Sequence, residues 1–287
     1  MNNISSFSHK NQEPENKVLY VVGTPIGNLN DISFRALNIL ENVSLIACED
    51  TRQTGKIMNK FQIKNTLISF NQHNSLKKIP AIINDLKSGK SVALVSDAGL
   101  PTICNPGEDL IKEAKLNGFQ TICIPGPCAA LTALASSGLP SSKFIFLGFL
   151  PKKKSDREVI LEEIGKCEKT SILYESPRRL KTLLMELKKY CGQDREIQVF
   201  RELTKKFEEN VGTNLDSIID FFEGKEVVGE ITIVIGGIQF ENSLKFDKYE
   251  LKKELNNLKK AGLSLSAASK YLAKKNNLPK KLIYNLY

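Results

Sequence analysis

The residues best equipped for chemistry in this chain sit immediately behind short apolar runs. Ala47-Cys48-Glu49-Asp50-Thr51-Arg52 places two carboxylates and a guanidinium where one such run ends. Carboxylates in that position can take a proton or orient a hydroxyl, and arginine suits a phosphate. The same residues also read as a helix start, with Asp50 or Thr51 as N-cap and Arg52 in solvent. Asn71-Gln72-His73-Asn74 supplies further polar groups ahead of a helical stretch. In the second half, Tyr174-Glu175-Ser176-Pro177-Arg178-Arg179 and Arg201-Glu202-Leu203-Thr204-Lys205-Lys206 again follow apolar runs. Arg178, Arg179, Arg201 and Lys205 can line a cleft for a polyanion, although singly each is an ordinary strand-end charge.

Three glycine-containing loops follow predicted strands: G-T-P-I-G-N at 23–28, S-D-A-G at 96–99 and P-G-P-C-A at 125–129. In a parallel sheet all three project from one carboxyl edge, where open α/β folds bind ligands. Glycine there lets the backbone approach a nucleoside-sized ligand closely. G-x-x-x-x-G-K-[ST] and G-x-G-x-x-G are both absent, which argues against an NTPase and a nicotinamide dehydrogenase.

The elements that hold these loops follow from hydrophobic spacing. Strands are expected at 18–23, 43–48, 66–70, 91–96 and 120–124. Between them Leu76, Ile79, Ile82, Ile83 and Leu86 fall at helical spacing, as do Leu110, Ile111 and Ala114 after Pro106-Gly107. This is the rhythm of βα units and a mainly parallel sheet. Pro125-Gly126-Pro127 and Gly138-Leu139-Pro140 bracket a small-residue helix before a junction. The second half repeats the α/β logic, with strands at 143–147, 170–174, near 196–200 and 230–235, and helices at 155–166 and 178–190. Leu180, Leu183, Leu184 and Leu187 form the stripe of that last helix. The expected division is a disordered polar leader over 1–16, an N-terminal α/β domain over 17–140, a second α/β domain over 141–242 and a basic helical tail over 243–287. In the tail, helix 247–260 precedes a helix capped by Ser264 or Ser266 and running to about Asn276. A turn at Asn277-Leu278 and a short helix opened by Pro279 complete an arrangement resembling a helix-turn-helix.

Composition excludes several classes. The chain is 41% hydrophobic and 25% charged, with no apolar run long enough to cross a bilayer and no signal-like stretch near its start, so a cytoplasmic location is expected. Its six cysteines include no C-x-x-C pair and only two histidines accompany them, so no metal site is expected. Cys48 and Cys123 lie in strand-like runs and read as small buried hydrophobes. Residues 243–287 hold eleven lysines against three acids, whereas the remaining residues carry only one net positive charge. Such asymmetry describes a nearly neutral body with a tail drawn to a polyanion.

Taken in order, GTPIGNLNDIS, EDTR, ALVSDAG, PGPCAA, SGLP, FLGFLPKKK, YESPRR and RELTKKFEE, spread from about Val18 to Gly236, resemble the tetrapyrrole-methylase superfamily. Within it they are most similar to the branch that methylates the 2′-oxygen of a cytidine ribose in the decoding region of 16S ribosomal RNA. The resemblance implies two α/β domains of the tetrapyrrole-methylase type with S-adenosyl-L-methionine in the cleft between them, plus a helix-turn-helix-like tail. It implies cofactor contacts from Pro25, Ile26 and Gly27, from Asp97, Ala98 and Gly99, from Cys128 and Ala129, and from Tyr174 and the 230–232 strand, with Glu230 and Ile231. It also implies 16S rRNA in the small ribosomal subunit as partner, and a homodimer. For catalysis the candidates are Asp50 or Glu49 as the proton acceptor, Arg52 or Arg178 on the neighbouring phosphate, and His73. RNA contacts are expected from Arg178, Arg179, Arg201, Lys205, Lys274, Lys275, Lys280 and Lys281.

The chain departs from the family pattern at Cys104 and Cys128, where serine is usual, at Asn105, which replaces an acid, and at Arg178, which replaces a histidine. Asn105 can still cap the following helix, while a guanidinium can contact RNA but cannot act as a base. Competing readings are a precorrin-type tetrapyrrole methyltransferase and a non-catalytic nucleic-acid-binding protein. A chain ended at residue 242 is expected to bind small ribosomal subunits more weakly and with a flatter salt dependence, because lysines that neutralise phosphates release counterions. Filter binding over a salt series measures this, and an unchanged slope would give the tail a purely structural role.

Overall fold

The computed structural model describes residues 14–238, 248–276 and 278–287. The expected leader therefore lies outside the described residues except for its last three positions, as do the expected 242/243 boundary and Asn277 of the expected turn.

Five strands, β1 (Val18–Val22), β2 (Leu45–Cys48), β3 (Leu67–Ser69), β4 (Val92–Val95) and β5 (Gln120–Ile124), form a sheet in the order β3-β2-β4-β1-β5. Every pairing in it is parallel. Period-two alternation sends Tyr20, Val22, Ile46 and Val95 to one face, against α1 (Phe34–Asn42) and α2 (Thr51–Lys60). Leu19, Ala47, Val92 and Leu94 go to the other, against α3 (Ser75–Lys87) and α4 (Glu108–Leu116). Burial on both faces explains why these strands read as continuous apolar runs. Cys48 is buried as expected, but Cys123 is exposed. It faces outward from the edge strand β5, and its neighbours Ile122 and Ile124 take the inward positions.

The second sheet combines β6 (Phe144–Phe149), β7 (Thr170–Glu175), β8 (Glu196–Arg201), β9 (Glu209–Asn214) and β10 (Ile231–Ile235) in the order β6-β7-β10-β8-β9. Here the mainly parallel expectation fails, because only β6 and β7 run parallel. The last strand, β10, inserts antiparallel between β7 and β8, and β8 turns directly back into β9. One face is covered by α6 (Lys154–Lys166), α7 (Pro177–Cys191) and α8 (Leu215–Phe222), with Leu180, Leu183, Leu184 and Leu187 of α7 all buried. The opposite face receives α5 (Ala129–Ser136), whose Ala130, Ala133 and Leu134 pack on Ile172, Phe200 and Val234. This small-residue helix thus leaves the first sheet in sequence and docks on the second.

In the tail, α9 (Lys248–Lys260), α10 (Leu265–Lys275) and α11 (Lys280–Tyr284) pack around Leu251, Leu255, Leu272, Leu278 and Ile283. Ser264 caps α10 by accepting from the Ala267 amide at 3.2 Å. Ser266 instead accepts from Lys280 Nζ at 2.7 Å, tying α10 to α11. No described helix is long and apolar enough to cross a membrane.

The loops after β1 and β5 touch backbone to backbone. A Cβ on Gly23 would lie 2.7 Å from the Gly126 Cα, and a Cβ on Gly126 would lie equally close to the Gly23 Cα. Gly126→Ala is therefore expected to lower the urea midpoint, at a cost of about 1–3 kcal/mol for overpacking. Gly55, whose added Cβ would meet nothing within 4 Å, supplies the control substitution.

Candidate active site

The three glycine loops meet where the sheet geometry requires. Thr24 and Gly99 exchange backbone hydrogen bonds, Thr24 N to Gly99 O at 2.9 Å and Gly99 N to Thr24 O at 3.1 Å. Gly99 adopts φ +78°, a left-handed conformation that favours glycine, and Pro127 O and Ile26 lie in van der Waals contact with the place where a side chain would begin. Thr24 Oγ1 donates to Ser96 O at 3.1 Å, so the first two loops are joined as one unit.

Between these loops and the second sheet lies a cavity of about 380 Å³, a volume suited to a small-molecule ligand. Of the residues expected to hold a cofactor, Ile26, Ala98, Gly99, Cys128, Ala129, Tyr174, Glu230 and Ile231 line it. Pro25, Gly27 and Asp97 stand beside it. Gly27 points instead at Thr204 and Lys205, which a Cβ there would strike at 2.5–2.7 Å. Thr232, in the expected 230–232 strand, lines it too, whereas sequence reasoning missed Leu100, Ile103 and Phe149 as parts of the wall. Phe149 at the end of the FLGF strand carried the only usable signal, an exposed aromatic at a strand terminus.

Asn105 does not cap α4, whose N-cap is Gly107. Its side-chain amide donates to Leu100 O at 3.2 Å and Ala98 O at 3.4 Å, bracing the loop that carries the cavity wall. Cys104 and Cys128 both face the cavity, and burial pushes the Cys104 thiol above its ordinary range. Tyr174 bridges the two halves: its hydroxyl accepts from the Ala130 amide at 3.1 Å, and Phe146 and Phe149 meet its ring edge-on at 5.0 and 5.6 Å. Burial raises its phenol well above the usual tyrosine value, so it stays neutral.

The acid cluster adjoins this wall. Asp97, next to Ala98, accepts from the Asp50 amide at 2.9 Å. Asp50 is the N-cap of α2, accepting from the Arg52 amide at 2.8 Å. Its carboxylate also holds the Arg52 guanidinium through Nε at 3.0 Å and through a terminal nitrogen at 2.6 Å. Those hydrogen bonds lower the Asp50 pKa to about 2, so its proton affinity is already satisfied. Glu49 is the opposite case, with burial first and the Asp97 charge second raising its pKa. Asp97 is raised chiefly by burial as well. His73 is exposed beyond β3 at the outer edge of the same sheet, its backbone amide held by Asn71 Oδ1 at 3.0 Å.

Several cations expected to meet RNA are already engaged. Arg179 pairs with the buried Glu175 at 3.0 Å and donates to Leu150 O at 3.0 Å, which locks the start of α7 to the wall. Arg201 holds Glu209 at 3.0 Å across β8 and β9. Lys205 bridges Glu202 at 2.8 Å and Glu230 at 3.2 Å. In the tail, Lys275 pairs with Glu254 and Lys280 with Ser266. Arg178, Lys274 and Lys281 are exposed and form no ion pair with a described residue.

Carboxyl-resolved NMR tests the division of the acids. A depressed pKa means that Asp50 favours the folded state above its ordinary value of 3.8, a contribution lost as pH falls toward about 2. In Arg52→Ala the Asp50 midpoint is expected to move back up toward 3.8, while Glu49 continues to titrate above the usual glutamate range.

Comparison with known proteins agrees with this geometry. Residues 18–219 match the family described as Tetrapyrrole (Corrin/Porphyrin) Methylases. The chain is 41% identical over 269 residues, 94% of its length and 96% of the relative's, to "Ribosomal RNA small subunit methyltransferase I" of Synechocystis. It is 46% identical to the protein of the same name from Thermotoga maritima, over 76% of this chain and 98% of the relative. Among solved structures, uroporphyrin-III C-methyltransferase from Thermus thermophilus complexed with S-adenosylhomocysteine shares the fold, with a TM-score of 0.54 at 14% identity over 76% of this chain and 96% of that one. A matching family pattern over most of the chain, together with relatives aligned nearly end to end, makes this protein a member of the tetrapyrrole methylase family, in the group of the ribosomal RNA small subunit methyltransferase I proteins.

Proposed function

We propose that this chain is an S-adenosylmethionine-dependent methyltransferase of small-subunit ribosomal RNA, acting in the cytoplasm as a homodimer on the 2′-hydroxyl of a cytidine ribose. The observation that carries the reading is the cavity walled by three strand-following loops on one side and the second sheet on the other, in a chain whose relatives are named as small-subunit ribosomal RNA methyltransferases. The residues present suit the donor. Ile26, Ala129 and Ile231 offer apolar surface for a purine, Gly99 brings bare backbone to the wall, and Glu230 and Thr232 supply polar groups opposite. When bound, the donor supplies an electrophilic methyl group on a sulfonium, which becomes a neutral thioether once the methyl has left.

The remaining work falls to the chain's own groups. Positioning the hydroxyl in line supplies much of the acceleration. Glu49 takes the hydroxyl proton as the new carbon–oxygen bond forms: its raised pKa makes it a stronger base than an ordinary glutamate, and no described cation neutralises it. Asp50 and Arg52 serve differently, capping the start of α2 directly after Glu49. Tyr174, kept protonated by burial, contributes a wall without offering a competing nucleophile. A tetrapyrrole substrate needs no basic tail and no acid beside an arginine, and nothing in the site favours it over RNA.

Glu49→Gln is expected to lower kcat about 10²–10⁴-fold, the range of a lost general base, with donor affinity by calorimetry unchanged. In the unmodified chain, log kcat should fall as pH drops through a midpoint above the ordinary glutamate range. A Glu49→Gln enzyme at full turnover would remove Glu49 from the reaction.

A further inference from the structure

Next to the donor cavity lies a second, open depression of about 580 Å³, formed between the loop after β1 and the hairpin that joins β8 to β9. The partition between the two is one residue thick. Ile26 faces the cavity and Gly27 the depression. Glu230 lines the cavity, and its carboxylate holds Lys205 of the depression at 3.2 Å.

The hairpin is held in a costly form. Glu202 and Thr204 adopt φ of 55° and 64°, left-handed conformations that cost a non-glycine residue of order 1–3 kcal/mol each. They persist because the loop is tied down on all sides. Thr204 Oγ1 accepts from the Asn28 amide at 3.0 Å, and the Thr204 amide donates to Glu208 at 2.9 Å. Glu202 Oε1 accepts from both the Glu230 amide at 2.9 Å and Lys205 at 2.8 Å. What this scaffold presents to solvent is a bare aromatic ring, with Phe207 65% exposed and the Lys206 ammonium 5.5 Å from the ring centre. Lys60, at the end of α2, faces the same depression from the first lobe, and neither it nor Lys206 pairs with a described acid. Phe207 belongs to none of the hydrophobic clusters of the described residues. A flat partner with an anionic backbone accounts for both the ring and the unpaired cations, since base-on-aromatic stacking and lysine–phosphate contact are how single strands are gripped.

We infer that this depression, together with the hairpin beside it, is a subsite for single-stranded RNA, with phosphates meeting Lys60 and Lys206 in the depression and a base beside the modified nucleotide stacking on Phe207, which follows Lys206 in the chain and is exposed next to the residues that line it. The inference rests on the RNA reading above and deepens it, moving the grip from Arg179, Arg201 and Lys205, which pair with acids of the protein, to two lysines without a described acid partner and an exposed ring that one of them, Lys206, touches.

The test uses the full chain, tritiated S-adenosylmethionine, and two acceptors, small ribosomal subunits lacking the modification and the RNA extracted from them. Phe207→Ala and Phe207→Leu should each lower acceptor kcat/KM about 5- to 100-fold, the loss of one stacked base, and Phe207→Tyr should retain it. Lys60→Ala and Lys206→Ala should each flatten the plot of log kcat/KM against log salt by about 0.7, one phosphate contact on a single strand. Donor affinity by calorimetry should match the parent in every variant. Wild-type kcat/KM in both Phe207→Ala and Phe207→Leu would overturn the subsite. A parent chain that binds the donor yet methylates neither acceptor would overturn the RNA reading itself, an outcome seen before any variant is compared.

Discussion

The backbone contact between Gly23 and Gly126 is the constraint on which the site depends. Adjacent parallel strands normally send their following loops apart to accommodate side chains. Here two glycines let the loops after β1 and β5 close on each other, with the Gly126 position excluding any Cβ. The paired loops, joined to the third through Thr24 and Gly99, form a rigid rim along the carboxyl edge of the sheet. Everything else in the site is placed relative to that rim: Ile26 on one side of a thin partition, Gly27 on the other, and the acid cluster one strand away.

Electrostatics then separates acids that look alike in sequence. Glu49 and Asp50 are neighbours, yet the hydrogen bonds from the Arg52 guanidinium and the Arg52 amide satisfy the Asp50 carboxylate, while burial and Asp97 leave Glu49 eager for a proton. The low pKa of one and the raised pKa of the other are two faces of a single local arrangement, in which the helix cap and Arg52 satisfy one carboxylate and leave its neighbour unneutralised.

Much of the first half was legible because its physics is local. Strands buried on both faces must be continuously apolar, and loops after parallel strands must share an edge, so Ala98, Gly99, Cys128 and Ala129 could be grouped before any fold was known. The second half was less legible. Glu209–Asn214 is polar and contains Gly212, so β9 carries no hydrophobic signal, and its identity as a strand comes from pairing with β8. The insertion of β10 between β7 and β8 is a long-range choice that no window of residues encodes. Partners were also hidden: Arg179, Arg201 and Lys205 resemble free cations until Glu175, Glu209 and Glu230 are found beside them. Asn105 had the residue type of a cap, but Gly107 occupied the capping position and left Asn105 to brace a loop.

The docking of α5 has a consequence for how such a protein can change over time. This helix is covalently an extension of the first half and physically part of the core of the second, and the Tyr174 hydroxyl fastens its first turn. The two halves are therefore not interchangeable modules. A lobe borrowed from a distant relative would arrive without the matching surface for Ala130, Ala133 and Leu134, and the cavity would lose its shape before it lost any residue that touches a ligand. Drift in the 125–130 segment must be accompanied by compensating drift in β7 and β10, so the cavity between the two halves is inherited as a whole or not at all.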